Sequence, residues 1–174
     1  LLTVFANFVA GQNIYYVSPT GNALNDGSLG SPKDLISANN DACSNNIDEI
    51  RLLSGTYNLS QKLQITCADI EISGNWIDIM GVASQSTSVT TTLNIDSSLE
   101  EVPHQSGGIL VGVYKGVEAI NVDDFVLENL IFNVKDGGMS GVASGTTGNR
   151  GRSVYGFYFN GSNGWDVRNC VMNV

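Results

Sequence analysis

The sequence predicts an all-β chain wound as a solenoid of short parallel strands, with one strand and a short capping helix ahead of it. Three observations carry that expectation. The composition suits strands and turns, short apolar runs alternate with polar residues from residue 48 onward, and internal repeats recur at spacings near one solenoid turn.

The composition comes first. Among 174 residues, 42% are hydrophobic, enough for a sizeable core, and the length suits one domain. The 20 glycines and the charged fraction of only 14% disfavour long surface helices, which draw on Glu, Lys and Arg. The formal net charge is −9 and the pI near 4.3. Eight dispersed Lys and Arg residues give no basic patch, so nucleic acid is excluded as a partner. An acidic polysaccharide would be repelled unless a cation such as Ca²⁺ lay between, held by carboxylate and carbonyl oxygens.

Along the chain, three stretches separate. Residues 1–12 open on an apolar run (LLTVFANFVA) that reads as the latter part of a signal h-region, with cleavage near Gly11; an apolar first strand is the alternative. A run of ten residues is too short to span a bilayer, so no transmembrane segment is visible. Residues 13–47 hold a β-rich run (IYYV, 14–17), a loop dense in turn formers that includes Asn25-Asp26-Gly27, and a helix start. There Ser31 reads as the N-cap, Pro32 as the first helical residue and Asp34 as a first-turn acid, which predicts a helix over residues 32–38. That helix would cover the apolar end of the solenoid.

Residues 48–174 read as the solenoid itself. Ile50 and Leu52, Leu63 and Ile65, Ile70 and Ile72, Leu93 and Ile95 each alternate with polar neighbours, which is the period of a strand. Aligning DEIRLLSG with ADIEISGN puts Ile50 over Ile70 and Leu52 over Ile72, and Leu93 follows Ile70 by 23 residues. A turn of three short strands needs on the order of 20 residues. That register stacks Arg51 on Glu71 as an opposite-charge pair on the outer face.

A second repeat is closer. LENLIFNV (127–134) and VRNCVMNV (167–174) align at a shift of 40 with both asparagine pairs in register, Asn129 with Asn169 and Asn133 with Asn173. Alternation then sends Phe125, Leu127, Leu130 and Phe132 inward, with Trp165, Val167, Cys170 and Met172 stacked on them. Cys170 stands where a core leucine would, so it reads as packing rather than as a nucleophile. The shift of 40 is either one turn lengthened by the loop at residues 136–152 or two turns. The pattern breaks off at Val174, which leaves an open edge of apolar side chains through which the chain should self-associate.

Three cysteines suit an oxidising compartment and allow one internal bridge. Cys43 and Cys67 lie about one turn apart, so stacking brings them within reach of each other; two buried thiols are the alternative.

Several of these segments together resemble the pectate-lyase-like right-handed parallel β-helix proteins, particularly exported bacterial ones such as surface adhesins and polymorphic outer-membrane proteins. Residues 14–35 are similar to the family's opening strand, Asn-Asp-Gly loop and capping helix. Residues 50–57 (IRLLSGTY) resemble its first coil, and residues 72–76 (ISGNW) with 91–96 (TTLNID) its next. Asn129 and Asn169 match its internal asparagine ladder at a sharp turn. The resemblance covers residues 14–174. It implies a right-handed parallel β-helix on a secreted or cell-surface protein.

Where that family does chemistry, this sequence departs from it. The family's polysaccharide lyases use Ca²⁺ on clustered aspartates and an Arg or Lys base. Here Asp123 and Asp124 are the only adjacent aspartates, and the next turn offers Asn163 and Gly164 in their place. They read better as a turn before Phe125 than as Ca²⁺ ligands. His104, the single histidine, has no visible partner for a triad or a metal site. Arg150 and Arg152, at the end of the long loop, are candidates to grip carboxylates or sulfates. Asn133 and Asn173 have amides to offer a sugar or a neighbouring strand. Two functions emerge as expectations. One is a surface or secreted module that binds a polysaccharide or cell-surface glycan without catalysis. The other is the N-terminal part of a polysaccharide lyase or hydrolase with its active site beyond residue 174.

Overall fold

The computed structural model describes residues 13–96, 100–103, 110–135 and 152–174. Among them lie one helix and fourteen strands, so the protein is mostly β. After β1 (Ile14–Val17) and α1 (Leu35–Ala42) come β2 (Glu49–Leu53), β3 (Gly55–Leu59), β4 (Leu63–Ile65), β5 (Glu71–Ile79), β6 (Val82–Gln85) and β7 (Thr91–Ile95). The remainder are β8 (Glu100–Pro103), β9 (Leu110–Ile120), β10 (Val126–Glu128), β11 (Ile131–Val134), β12 (Arg152–Asn160), β13 (Asp166–Arg168) and β14 (Val171–Asn173).

Three parallel sheets result. The first runs β1-β2-β5-β10-β13, the second β3-β7-β11-β14 and the third β4-β9-β12. The chain visits them in rotation: β2, β3, β4, then β5, β7, β9, then β10, β11, β12, then β13, β14. Two antiparallel additions interrupt the rotation, β6 folding back on β5 and β8 pairing with β9.

Each circuit stacks its inward side chains on those of the one before. In the first sheet Ile50 faces Ile72, Ile72 faces Leu127 and Leu127 faces Val167. In the second the column is Tyr57, Leu93, Phe132 and Met172. The third sheet adds Leu63, Val117 and Phe157. Phe125 meets Phe159 edge to face at 5.0 Å and Phe132 meets Phe157 at 5.3 Å, the arrangement that ring quadrupoles favour. Burying each such ring stabilises the fold by about 1.5–3 kcal/mol.

The sharp corners between β10 and β11 and between β13 and β14 are made by Asn129 and Asn169, at φ 57° and 52°. Asparagine tolerates this left-handed conformation better than other side-chain-bearing residues. The repeat of 40 is a single circuit, because β13 lies directly beside β10.

The first repeat is corrected. Ile50 faces Ile72, not Ile70, so the ladder runs two residues beyond the sequence alignment. Arg51 therefore lies opposite Ser73 and ion-pairs with Glu49 at 2.7 Å, while Glu71 sits opposite Glu49. Leu93 does not follow Ile70 in one column either; it belongs to the second sheet, between Tyr57 and Phe132. Shifts of 20 and 22 have the same parity, so both keep the isoleucines inward, and alternation cannot choose between them.

The helix also starts later than its sequence signals suggested. Asp34, not Ser31, is the N-cap, accepting a hydrogen bond from the Ser37 amide at 2.9 Å. Residues before it are held extended, because the Lys33 amide donates to the Tyr16 carbonyl and Val17 bridges Lys33 in parallel. Leu35, Ala38 and Ala42 of α1 are buried in the same core as Ile50 and Leu52. Cys43, the C-cap, is bonded to Cys67, which comes after β4; the bridge ties the helix to a loop rather than joining two stacked strands.

Candidate functional site

The outward face of the second sheet carries the most regular polar arrangement among the described residues. Parallel pairing in register places Asn58 of β3, Asn94 of β7, Asn133 of β11 and Asn173 of β14 in one column. Their side-chain amides are linked. Nδ2 of Asn94 donates to Oδ1 of Asn58 at 2.9 Å, Asn133 to Asn94 at 2.9 Å and Asn173 to Asn133 at 2.8 Å. Asn58 and Asn173 are exposed, and the two between them are half-buried.

All three bonds point the same way along the stack. A carboxamide has two N–H donors and an oxygen with two lone pairs. Each inner member of the ladder thus spends one donor and one acceptor on its neighbours and keeps one of each for solvent or a ligand.

The flanking columns differ. On one side Thr56, Thr92, Ile131 and Val171 line up, shifting from hydroxyl to apolar along the stack. On the other side stand Ser60, Asp96 and Lys135, with Lys135 paired to Asp96 at 3.1 Å. A cleft of about 360 Å³ opens there, lined by Asn58, Leu59, Ser60, Asn94, Asp96 and Lys135. A second cleft of about 310 Å³ shares Asn58, Leu59 and Ser60 with it and continues to Ser18, Pro19 and Asp34 beside the helix start.

The other two sheets present charges that are committed to one another. On the first, Glu49 accepts from Ser73 Oγ at 3.0 Å and pairs with Arg51, whose guanidinium lies 4.0 Å over the Trp76 ring. Trp76 Nε1 in turn donates to Ser73 Oγ at 2.8 Å. Burial raises the Glu71 carboxyl above the usual carboxylate range, helped by the charges of Glu49 and Glu128 and opposed by Arg168. On the third sheet buried Glu118 binds both Lys62 and Lys115, and Lys115 lies 4.3 Å over the Tyr158 ring.

The residues singled out from sequence fall in different places. Asp123 and Asp124 form a turn: Asp123 Oδ1 accepts from the Asn163 amide at 2.7 Å, and Asp124 sits at φ 55°. Both are exposed and lie against the next circuit. Among the described residues, no three His, Cys, Asp or Glu side chains are grouped to hold a metal ion. Arg152 opens β12 opposite Gly112. Residues 1–12, His104, Arg150 and the rest of the loop at residues 136–151 lie outside the described residues. Asn129 and Asn169 shape corners, away from the amide ladder. Cys170 is half-buried, and burial pushes its thiol up, which suits packing rather than nucleophilic chemistry. No helix among the described residues is long and apolar enough to cross a membrane.

Sequence reasoning reached Asn133 and Asn173 but missed Asn58 and Asn94, because the rungs are 36, 39 and 40 residues apart. Only the last interval equals the repeat visible in the sequence. The signal that remained was the recurrence of Asn two positions after an outward Thr in β3 and β7, TYN and TLN.

No family model, no curated protein and no solved structure matches the chain. The described residues themselves define a mostly β protein of three stacked parallel sheets, one of which bears an amide-lined outer face bordered by clefts.

Proposed function

We propose that the three sheets are the faces of a right-handed parallel β-helix of the pectate-lyase-like kind, and that the chain is an exported, surface or secreted module that binds a glycan without cleaving it. The rotation of the chain through the three sheets, each strand pairing in parallel with the one a circuit earlier, supports the helix. Parallel strands joined by crossovers are right-handed in nearly all proteins, which supports the hand. The Cys43–Cys67 bond is compatible with an oxidising, extracellular setting.

The observation that carries the binding reading is the ladder of Asn58, Asn94, Asn133 and Asn173 beside a cleft. Sugar hydroxyls both donate and accept, and each inner amide retains one group of each kind. A rigid sheet holds these groups at fixed intervals, so little ordering entropy is lost on binding. The test is a glycan array probed with the purified chain, then calorimetry and a reducing-end assay on every glycan that binds. Saturable binding with no turnover is expected. Cleavage of a bound polysaccharide would refute the non-catalytic reading, and the absence of binding to any glycan would refute the binding one.

A further inference from the structure

Resting on that glycan reading, we infer a ligand class and an orientation: a linear, uncharged polysaccharide lying along the stack of circuits, across the strands, with one sugar at each rung of the asparagine ladder. Three features lead there.

The first is direction. Adjacent strands in a sheet are about 4.8 Å apart, so the amides of Asn58, Asn94, Asn133 and Asn173 repeat at that interval along the stack. An extended chain of pyranoses offers hydroxyls at a comparable repeat. The clefts border the first two rungs, Asn58 and Asn94. They share Asn58, Leu59 and Ser60, and together extend from Ser18 and Asp34 past the ladder's first rung to Asp96 and Lys135.

The second is charge. The lining holds two carboxylates and one ammonium group. Asp34 caps the helix, and Lys135 is paired with Asp96. The single ammonium group is offset by Asp96 and the lining is net negative, as is the whole chain at −9. A polyanion would approach against the field, whereas neutral hydroxyls meet no such barrier.

The third is polarity. All ladder bonds run the same way, from each Nδ2 to the Oδ1 one circuit earlier. The ladder therefore has a sense, so a polysaccharide, whose two ends are unlike, is held in one direction.

The experiment is calorimetry of the whole chain with cello-, manno- and xylo-oligosaccharides from dimer to hexamer, alongside oligogalacturonates of the same lengths. For the neutral series that binds, affinity should rise about fivefold with each sugar added up to four, roughly one hydrogen bond's worth for each rung from Asn58 to Asn173. Asn58→Ala should remove one such increment. Ser60→Trp, filling the shared part of the clefts, should abolish binding while leaving the melting curve unchanged. Tighter binding of oligogalacturonates than of any neutral series, or affinity independent of length, would overturn this inference and leave the glycan reading standing. Binding of no oligosaccharide and of no glycan on the array would remove both.

Discussion

The side-chain amide of Asn133 donates to that of Asn94 at 2.9 Å although 39 residues separate them. That contact exists only because β7 and β11 pair in parallel and in register, so it reports the tertiary stacking directly. Replacing the middle of the ladder with a side chain that cannot bond, Asn94→Leu, removes two amide bonds at a half-exposed site. Water compensates in part, so unfolding in urea should show a loss of about 1 kcal/mol, with glycan affinity falling more than stability does.

At the corner of the first and second sheets, the circuits approach closely enough to forbid a side chain. A β-carbon on Gly74 would stand 2.3 Å from the carbonyl oxygen of Asn129 in the next circuit, whereas one on Gly30 would meet nothing within 4 Å. Gly74→Ala should therefore destabilise by about 1–3 kcal/mol through backbone displacement. Gly30→Ala should be close to neutral in the same denaturant titration, which separates crowding from a general effect of glycine replacement.

The Cys43–Cys67 bond closes a loop with a sequence separation of 24 and fastens the end of α1 to the segment after β4. By loop-closure entropy it should contribute about 3 kcal/mol. Melting with and without a reductant should show a clear drop in the reduced protein, and Cys43→Ser should reproduce it. Cys170→Ser should lower stability far less, because that thiol forms no disulfide and is only half-buried.

Glu71 makes stability depend on pH. Its carboxyl is raised in the folded protein by burial and by Glu49 and Glu128, so folding favours its protonated form. The contribution is fully present below the unfolded carboxyl pKa and is lost as pH rises through the folded value. Chemical denaturation across the acidic range should show this component falling with rising pH. Glu71→Gln, which keeps the hydrogen-bonding shape and removes the proton, should flatten it; an unchanged slope would mean that Glu71 is not the responsible group.

Much of the fold was legible because it depends on local pattern. Ile14–Val17 is a strand with the bounds its β-branched and aromatic run suggested. Phe125, Leu127, Leu130 and Phe132 are all fully buried, as their alternation required. The repeat of 40 aligned Asn129 with Asn169, and the family resemblance, not the spacing, suggested that they sit at a sharp turn. The helix was displaced by three residues because Asp34, read as a first-turn acid, is itself the N-cap. The choice between Ser31 and Asp34 came from a backbone contact to Tyr16 that no local rule contains.

The sequence by itself determined that the chain is mostly β and which faces of the strands turn inward. These depend on the two-residue strand period and on backbone preferences that act within a few residues. Only the tertiary structure decided the register between circuits, since shifts of equal parity bury the same faces and the energy separating them lies in corner geometry and loop length. The candidate site depended on that decision. Asn58 and Asn94 join the column of Asn133 and Asn173 only once loops of unequal length have been closed and the strands have stacked.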